Sequence, residues 1–174
     1  VGVHGLRHSF ASLAYHLQIP EKIARLCVAG CCDLLLLSGD LFDGVATKES
    51  IRAVKNALAS LTIPVVITPG NHDYISSESP YVTETWPENV HIFTKPEITS
   101  LSLPQLGCTV YGAGYTGMDC PALLRGFRVT DDSKWHIGVL HGEAGNTTSN
   151  YCPISRHQIQ ESGLHYLALG HIHR

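Results

Sequence analysis

Side chains able to hold a metal ion or move a proton stand in four short groups along this chain: Asp40 and Asp43 in SGDLFDG, Asn71, His72 and Asp73 in PGNHD, His141 in LHG, and His171 with His173 in GHIH. Taken singly, each group has a plain structural use. Asp40 can serve a turn and the Asn-His-Asp stretch can cap a loop. His141 can be a hydrogen-bonded histidine ending a core strand, and two histidines near a chain end can be solvated surface. Each group, however, closes an apolar run, and a glycine adjoins each of them: Gly39, Gly70, Gly142 and Gly170. Glycine permits sharp turns and close backbone approach, so the four groups together read as the lining of one metal-binding crevice. The 11 histidines of the chain exceed what packing requires and point the same way, to metal or proton chemistry.

Residues so far apart in sequence converge only if their strands end at a common edge. DLLLLSGD is a continuous apolar run closed by glycine, the pattern of a strand buried on both faces and covered by helices. PVVITPGNHD, WHIGVLHG and HYLALGHIH repeat it. A helix is expected over residues 20–29, with Pro20 in the first turn and Gly30 as a stop. Thr47 suits the cap of a second, along which Ile51, Val54, Leu58 and Leu61 recur at helical spacing. A short third helix is expected over 155–162, closed by Gly163. From Val90 to Gly114 the pieces VHIFT, ITSLSL and CTVYGAG have turns between them and no crossover helix, which predicts antiparallel pairing. Together these elements predict an α/β protein, a layered sandwich with a mixed sheet or two packed sheets. In such sheets the carboxyl ends of the strands line the ligand crevice, where the four groups fall.

At 174 residues and 44% hydrophobic, the chain suits one domain, taken as residues 1–174, around one sizeable core. Its longest apolar run, Leu34 to Leu37, is far shorter than a membrane span, and no signal peptide is visible. A cytoplasmic protein with no membrane partner is expected. The 6 cysteines fit neither a disulfide scaffold nor a zinc knuckle and are expected to be reduced and mostly buried. A net charge of −3 offers none of the basic excess that marks a nucleic-acid face. Trp86 and Trp135 are expected in packing, His91, His136 and His165 as ordinary strand residues, and His8, His16 and His157 in solvent.

GDLFD, GNHD, LHG and GHIH, in that order, resemble the successive motifs of the calcineurin-like metallophosphoesterase superfamily, and the resemblance runs from about Cys32 to Arg174. With LSGDLFD upstream, the ending YLALGHIHR is most similar to the bacterial DNA repair exonucleases of the SbcD and YhaO type. The resemblance implies the α/β/β/α sandwich of mixed sheets that is the metallophosphoesterase fold. It also implies two divalent ions side by side, bridged by Asp40, with Asn71, His141 and His171 on the second ion and His173 on the first. A mixture of carboxylate, amide oxygen and imidazole suits manganese above all, or iron or zinc, better than magnesium or calcium, which prefer oxygen throughout. Two such ions clamp a phosphate ester and convert a water to hydroxide for in-line attack. His72 resembles the catalytic acid that protonates the leaving oxygen, with Asp43 holding it as imidazolium. On this reading the chain is a two-metal phosphodiester hydrolase acting on DNA as an exonuclease, partnered with an SMC-like ATPase.

The resemblance has a gap. The family pattern opens with Asp-x-His on the first strand, supplying the first ion, whereas VGVHG has Gly2 where the aspartate should stand, beside His4. The expectation is that the chain begins just after the motif and is cut again at Arg174. One ion would then bind better than two, with little nuclease activity in this stretch alone. Two other functions use the same residues. A small-molecule or cyclic-nucleotide phosphodiesterase or phosphatase shares the metal core, since specificity lies in loops and caps. A degenerate, non-catalytic binding module would keep the fold alone, and against it stand His72 and Asp43, because binding needs no leaving-group acid.

Overall fold

The structure, a computed structural model, describes residues 8–10, 27, 30–42 and 45–172, and in it the apolar runs become strands of two sheets. The first sheet holds β1 (His8–Phe10), β2 (Leu34–Ser38), β3 (Val65–Thr68) and β4 (Val90–Ile92), in that order and all parallel. The second holds β5 (Thr99–Leu103), β6 (Cys108–Gly112), β7 (Trp135–His141) and β10 (Tyr166–Gly170), in the order β10-β7-β6-β5. Within it β5 and β6 are antiparallel, and the other two pairings are parallel. A small parallel ribbon joins β8 (Glu143–Ala144) to β9 (Pro153–Ile154).

Alternation along each strand decides what the sheets cover. In β2, Leu34 and Leu36 point into the gap between the sheets, where they meet Val66, Val110, Ile137, Val139 and Ala168. Leu35 and Leu37 point the other way, with Val65 and Ile67, onto the helix α1 (Lys48–Ala59) through Val54 and Leu58. Fully burying one such side chain contributes roughly 1.5–3 kcal/mol, so both faces of β2 are fixed by packing. Thr47 caps α1 by accepting the Ser50 N–H at 3.1 Å, which satisfies one of the orphan donors of the first turn. On the far side of the second sheet, α3 (Arg156–Ser162) starts in a reciprocal Ser155–Gln158 capping box. Ile159 and Leu164 there pack on a cluster with Leu140 and Ile154 at its centre. The layers are therefore helix, sheet, sheet, helix, as expected, with a short additional helix, α2 (Pro80–Thr83), beside the first sheet.

Two expectations change in detail. The stretch from Val90 to Gly114 does not form one antiparallel unit: β4 completes the first sheet in parallel with β3, and β6 runs parallel to β7. A parallel connection needs a dozen or more residues of chain but not a long helix, and the segments 69–89 and 113–134 supply that length. His165 lies in the turn before β10 rather than in a strand. Of the helix expected over 20–29, Cys27 is helical and buried, and the rest lies outside the described residues. The six cysteines form no disulfide, and of them only Cys31 is exposed. Among the described residues no helix is long and apolar enough to cross a membrane.

Candidate metal centre

Because β2 and β3 run parallel in one sheet and β7 and β10 in the other, all four release their chains at one edge of the sandwich. Ser38 is in register with Thr68 and Gly170 with His141. Just past these ends come Asp40, Asn71 and His171, with His141 itself the last residue of β7. The turn after β2 is tight: Gly39 has φ +88°, and a Cβ there would lie 2.1 Å from His141 Nδ1. Gly170 is equally constrained, since its Cβ would stand 1.7 Å from the Ser38 carbonyl oxygen. These two positions exclude any side chain, and their emptiness lets the two sheets close on each other at the site.

His141 joins the sheets. Its Nδ1 lies 2.9 Å from the Ser38 carbonyl oxygen, and since a carbonyl only accepts, that nitrogen carries the proton. Nε2 faces Asn71 Oδ1 at 2.9 Å and Asp40 Oδ2 at 3.2 Å. In the neutral ring Nε2 presents a lone pair, so three electron-pair donors converge and repel unless positive charge, a second ring proton or a metal ion, lies among them. His171 completes the group: its ligand nitrogen, that of His141 and a carboxylate oxygen of Asp40 all lie within 4.8 Å of one another. The His171 ring meets the His141 ring edge-on at 5.1 Å and lies 4.5 Å from the ring of Tyr151. His141 is fully buried, while Asp40 and His171 are half-buried, so the open side of the cluster faces solvent. One carboxylate, one amide oxygen and two imidazoles are ligands for a divalent ion of manganese, iron or zinc type, and the residues present fit one.

A second carboxylate holds the loops in place. Asp73 is buried and accepts four hydrogen bonds: the N–H groups of Gly70 at 2.7 Å, Phe42 at 3.1 Å and Asp40 at 3.2 Å, and the Tyr81 hydroxyl at 2.5 Å. Burial pushes the Asp73 carboxyl above its ordinary range, and the bonds from Tyr81, Gly70 and Phe42 pull it back in part. Asp40 settles the other way. Burial opposes its charge, but the hydrogen bond and charge of His141, then the His72 N–H, outweigh it and hold the carboxyl below its usual value. It is therefore an anion at neutral pH.

The structure brings Asp40, Asn71, His141 and His171 together. His72 sits at the rim, its backbone N–H donating to Asp40 Oδ1 at 3.0 Å and its side chain exposed. Asp43 and His173, like Gly2 and His4, lie outside the described residues. Sequence reasoning missed Asp73 as a brace, its partner Tyr81, and the Ser38 carbonyl that sets the His141 proton. Of these only Asp73 carried a signal, as the acid following Asn-His, and nothing local distinguishes a loop acid from a buried one.

The family model described as calcineurin-like phosphoesterase matches residues 3–174. The uncharacterized metallophosphoesterase YhaO of Bacillus subtilis (strain 168) is 34% identical over 160 residues, covering 82% of this chain and 37% of its own length. The crystal structure of TT1561 of Thermus thermophilus superposes with a TM-score of 0.54 at 16% identity, over 88% of this chain and 75% of that one, and so shares the fold. A family model that takes in nearly the whole chain, joined to a relative at that level of identity, establishes that the chain belongs to the calcineurin-like phosphoesterase family.

Proposed function

We propose that this chain is the metal-dependent core of a phosphodiester hydrolase, with DNA as its substrate. The observation that carries the reading is the meeting of Asp40, His141 and His171 ligand atoms within 4.8 Å at one edge of two packed sheets. Asp40, Asn71, His141 and His171 would hold one divalent ion, manganese by preference, and Asp40 and His173 would serve a second. When bound, such ions draw charge from the phosphate ester and activate water for attack on it.

The chain's own residues supply the rest. Asp40 contributes a carboxylate that stays charged at neutral pH, and Ser38 keeps the His141 proton on the nitrogen away from the cluster. His72 has its main chain pinned to Asp40 and its ring at the exposed rim, a placement that suits delivery of a proton to a leaving oxygen. Asp43 is assigned the task of keeping that ring charged. Preference for DNA rests on the similarity of LSGDLFD and YLALGHIHR to repair exonucleases, and an SMC-like ATPase is the partner that similarity suggests.

The test compares hydrolysis of linear DNA, a cyclic nucleotide and bis-p-nitrophenyl phosphate by the whole protein with manganese, before and after chelation. Metal-dependent degradation of DNA at rates above the small esters supports the proposal. Turnover of the small esters with intact DNA moves the assignment to a small-molecule phosphodiesterase. Absence of all three activities leaves a binding module.

A further inference from the structure

His171 stands one residue beyond the ladder that carries it, since the pairing of β10 with β7 ends at Gly170. Its backbone has φ +99°, a region that residues other than glycine seldom adopt and that persists where the surroundings impose it. On such a turn the imidazole has two side-chain torsions to settle before a nitrogen faces Asp40 and His141. Two rings reach it. His141 meets it edge-on at 5.1 Å, and Tyr151 lies against it at 4.5 Å with 33° between the ring planes, the near end of the range for aromatic pairs.

Tyr151 comes from the loop between β8 and β9, and its main chain is held on both sides. At the base of the loop a Cβ on Gly142 would lie 2.7 Å from the Cys152 carbonyl oxygen, so the two ends meet backbone to backbone. The Tyr151 carbonyl accepts the Glu143 N–H at 3.0 Å. Opposite, Cys120 pairs with Tyr151 in an isolated parallel bridge, donating its N–H to Asn150 and accepting that of Cys152, both at 2.8 Å. Side chains lace the loop from within. Asn146 donates to Glu143 Oε1 at 3.2 Å and accepts the Thr148 N–H and hydroxyl at 3.2 and 2.9 Å, and the Tyr151 N–H donates to Ser149 Oγ at 3.0 Å. The half-buried Tyr151 side chain also rests on the apolar cluster that contains Leu140 and Ile154. The surface it offers to His171 is therefore a rigid one.

We propose that Tyr151 is a positioning residue of the metal centre: its ring fixes the His171 imidazole with a nitrogen aimed at the point it shares with Asp40 and His141, a role that rests on the metal-ligand reading of His171. Partners that orient a ligand ring count for about 10–100-fold in metal affinity. A ring already aimed loses little freedom when the ion arrives. The flat face carries this role, and the hydroxyl has no part in it.

Manganese is the probe for affinity and cobalt(II), whose visible absorption follows the arrangement of its ligands, the probe for geometry. In titrations of the whole protein, Tyr151→Leu is expected to weaken manganese binding about 10–100-fold and to shift the cobalt bands, whereas Tyr151→Phe keeps the affinity and spectrum of the wild type. A residue that only packed the loop would leave the cobalt bands in place. Tyr151→Met, a side chain of similar reach without a flat face, gives the same reading should Tyr151→Leu fail to fold. Wild-type affinity and spectrum in Tyr151→Leu overturn the role of Tyr151, and so does a loss in Tyr151→Phe equal to that in Tyr151→Leu. Wild-type protein that takes up no manganese instead removes the metal reading itself, and the proposal with it.

Discussion

The backbone N–H of Asp40 donates to the buried carboxylate of Asp73 at 3.2 Å, and the same oxygen accepts the Gly70 N–H at 2.7 Å. The loop after β2 and the loop after β3 are thus tied to one atom, which sets where Asp40 stands relative to Asn71.

Tyr81 shares that carboxylate from beyond the site, its hydroxyl 2.5 Å from Asp73 Oδ2. Tyr81→Phe removes one donor from a buried acceptor and is expected to destabilise the chain by about 1–3 kcal/mol. Urea unfolding measures this. A loss below about 0.5 kcal/mol would mean that Asp73 is sufficiently satisfied by backbone alone.

Manganese is expected to bind the 174-residue chain at about one tight equivalent, because the described residues contain one group of three convergent ligands. Asp40→Asn and His141→Gln each should abolish it. Isothermal titration decides the count, and two tight equivalents would show that residues outside the described set complete a second site in this chain.

Gly39→Ala places a Cβ against His141 Nδ1 at a backbone angle of +88°. The ring must move from the Ser38 carbonyl, and the substitution should cost at least about 1 kcal/mol in stability together with at least tenfold in manganese affinity. Unchanged metal binding would mean that the turn relaxes without moving His141.

His72→Asn should leave metal affinity intact, since the His72 backbone N–H that donates to Asp40 Oδ1 is kept by the substitution. Turnover of an unactivated diester is expected to fall about 10²–10⁴-fold. The loss should be smaller for bis-p-nitrophenyl phosphate, whose leaving group needs no proton. Full turnover of the unactivated diester by this variant removes His72 from catalysis.

Acid stability of the metal-free chain carries the mark of Asp40. Its carboxyl is held below the ordinary value of 3.8 in the folded state. The stability this contributes is present above pH 3.8 and is lost as pH falls through the depressed value, because only then does the folded chain take up the proton. Asp40→Asn should flatten the dependence of melting temperature on pH below about 4. An identical slope in both proteins would mean that the His141 contact does not hold the charge.

The apolar runs ending in glycine and a polar group were enough, in sequence alone, to place four strands, to identify a layered α/β fold, and to name Asp40, Asn71, His141 and His171 as one cluster. Burial on both faces leaves a strand no freedom in composition, and a ligand at a strand end must follow a turn, so both leave local signatures. Which sheet each strand joined was not local. VHIFT and CTVYGAG look alike as short β pieces, but β4 pairs with β3 and β6 with β7, a choice made by the packing of Phe93, Val110 and Leu103 between the sheets. The brace at Asp73 likewise needed the tertiary structure. A buried carboxylate is defined by donors from distant backbone and from Tyr81, and these are not written in the residues on either side of it.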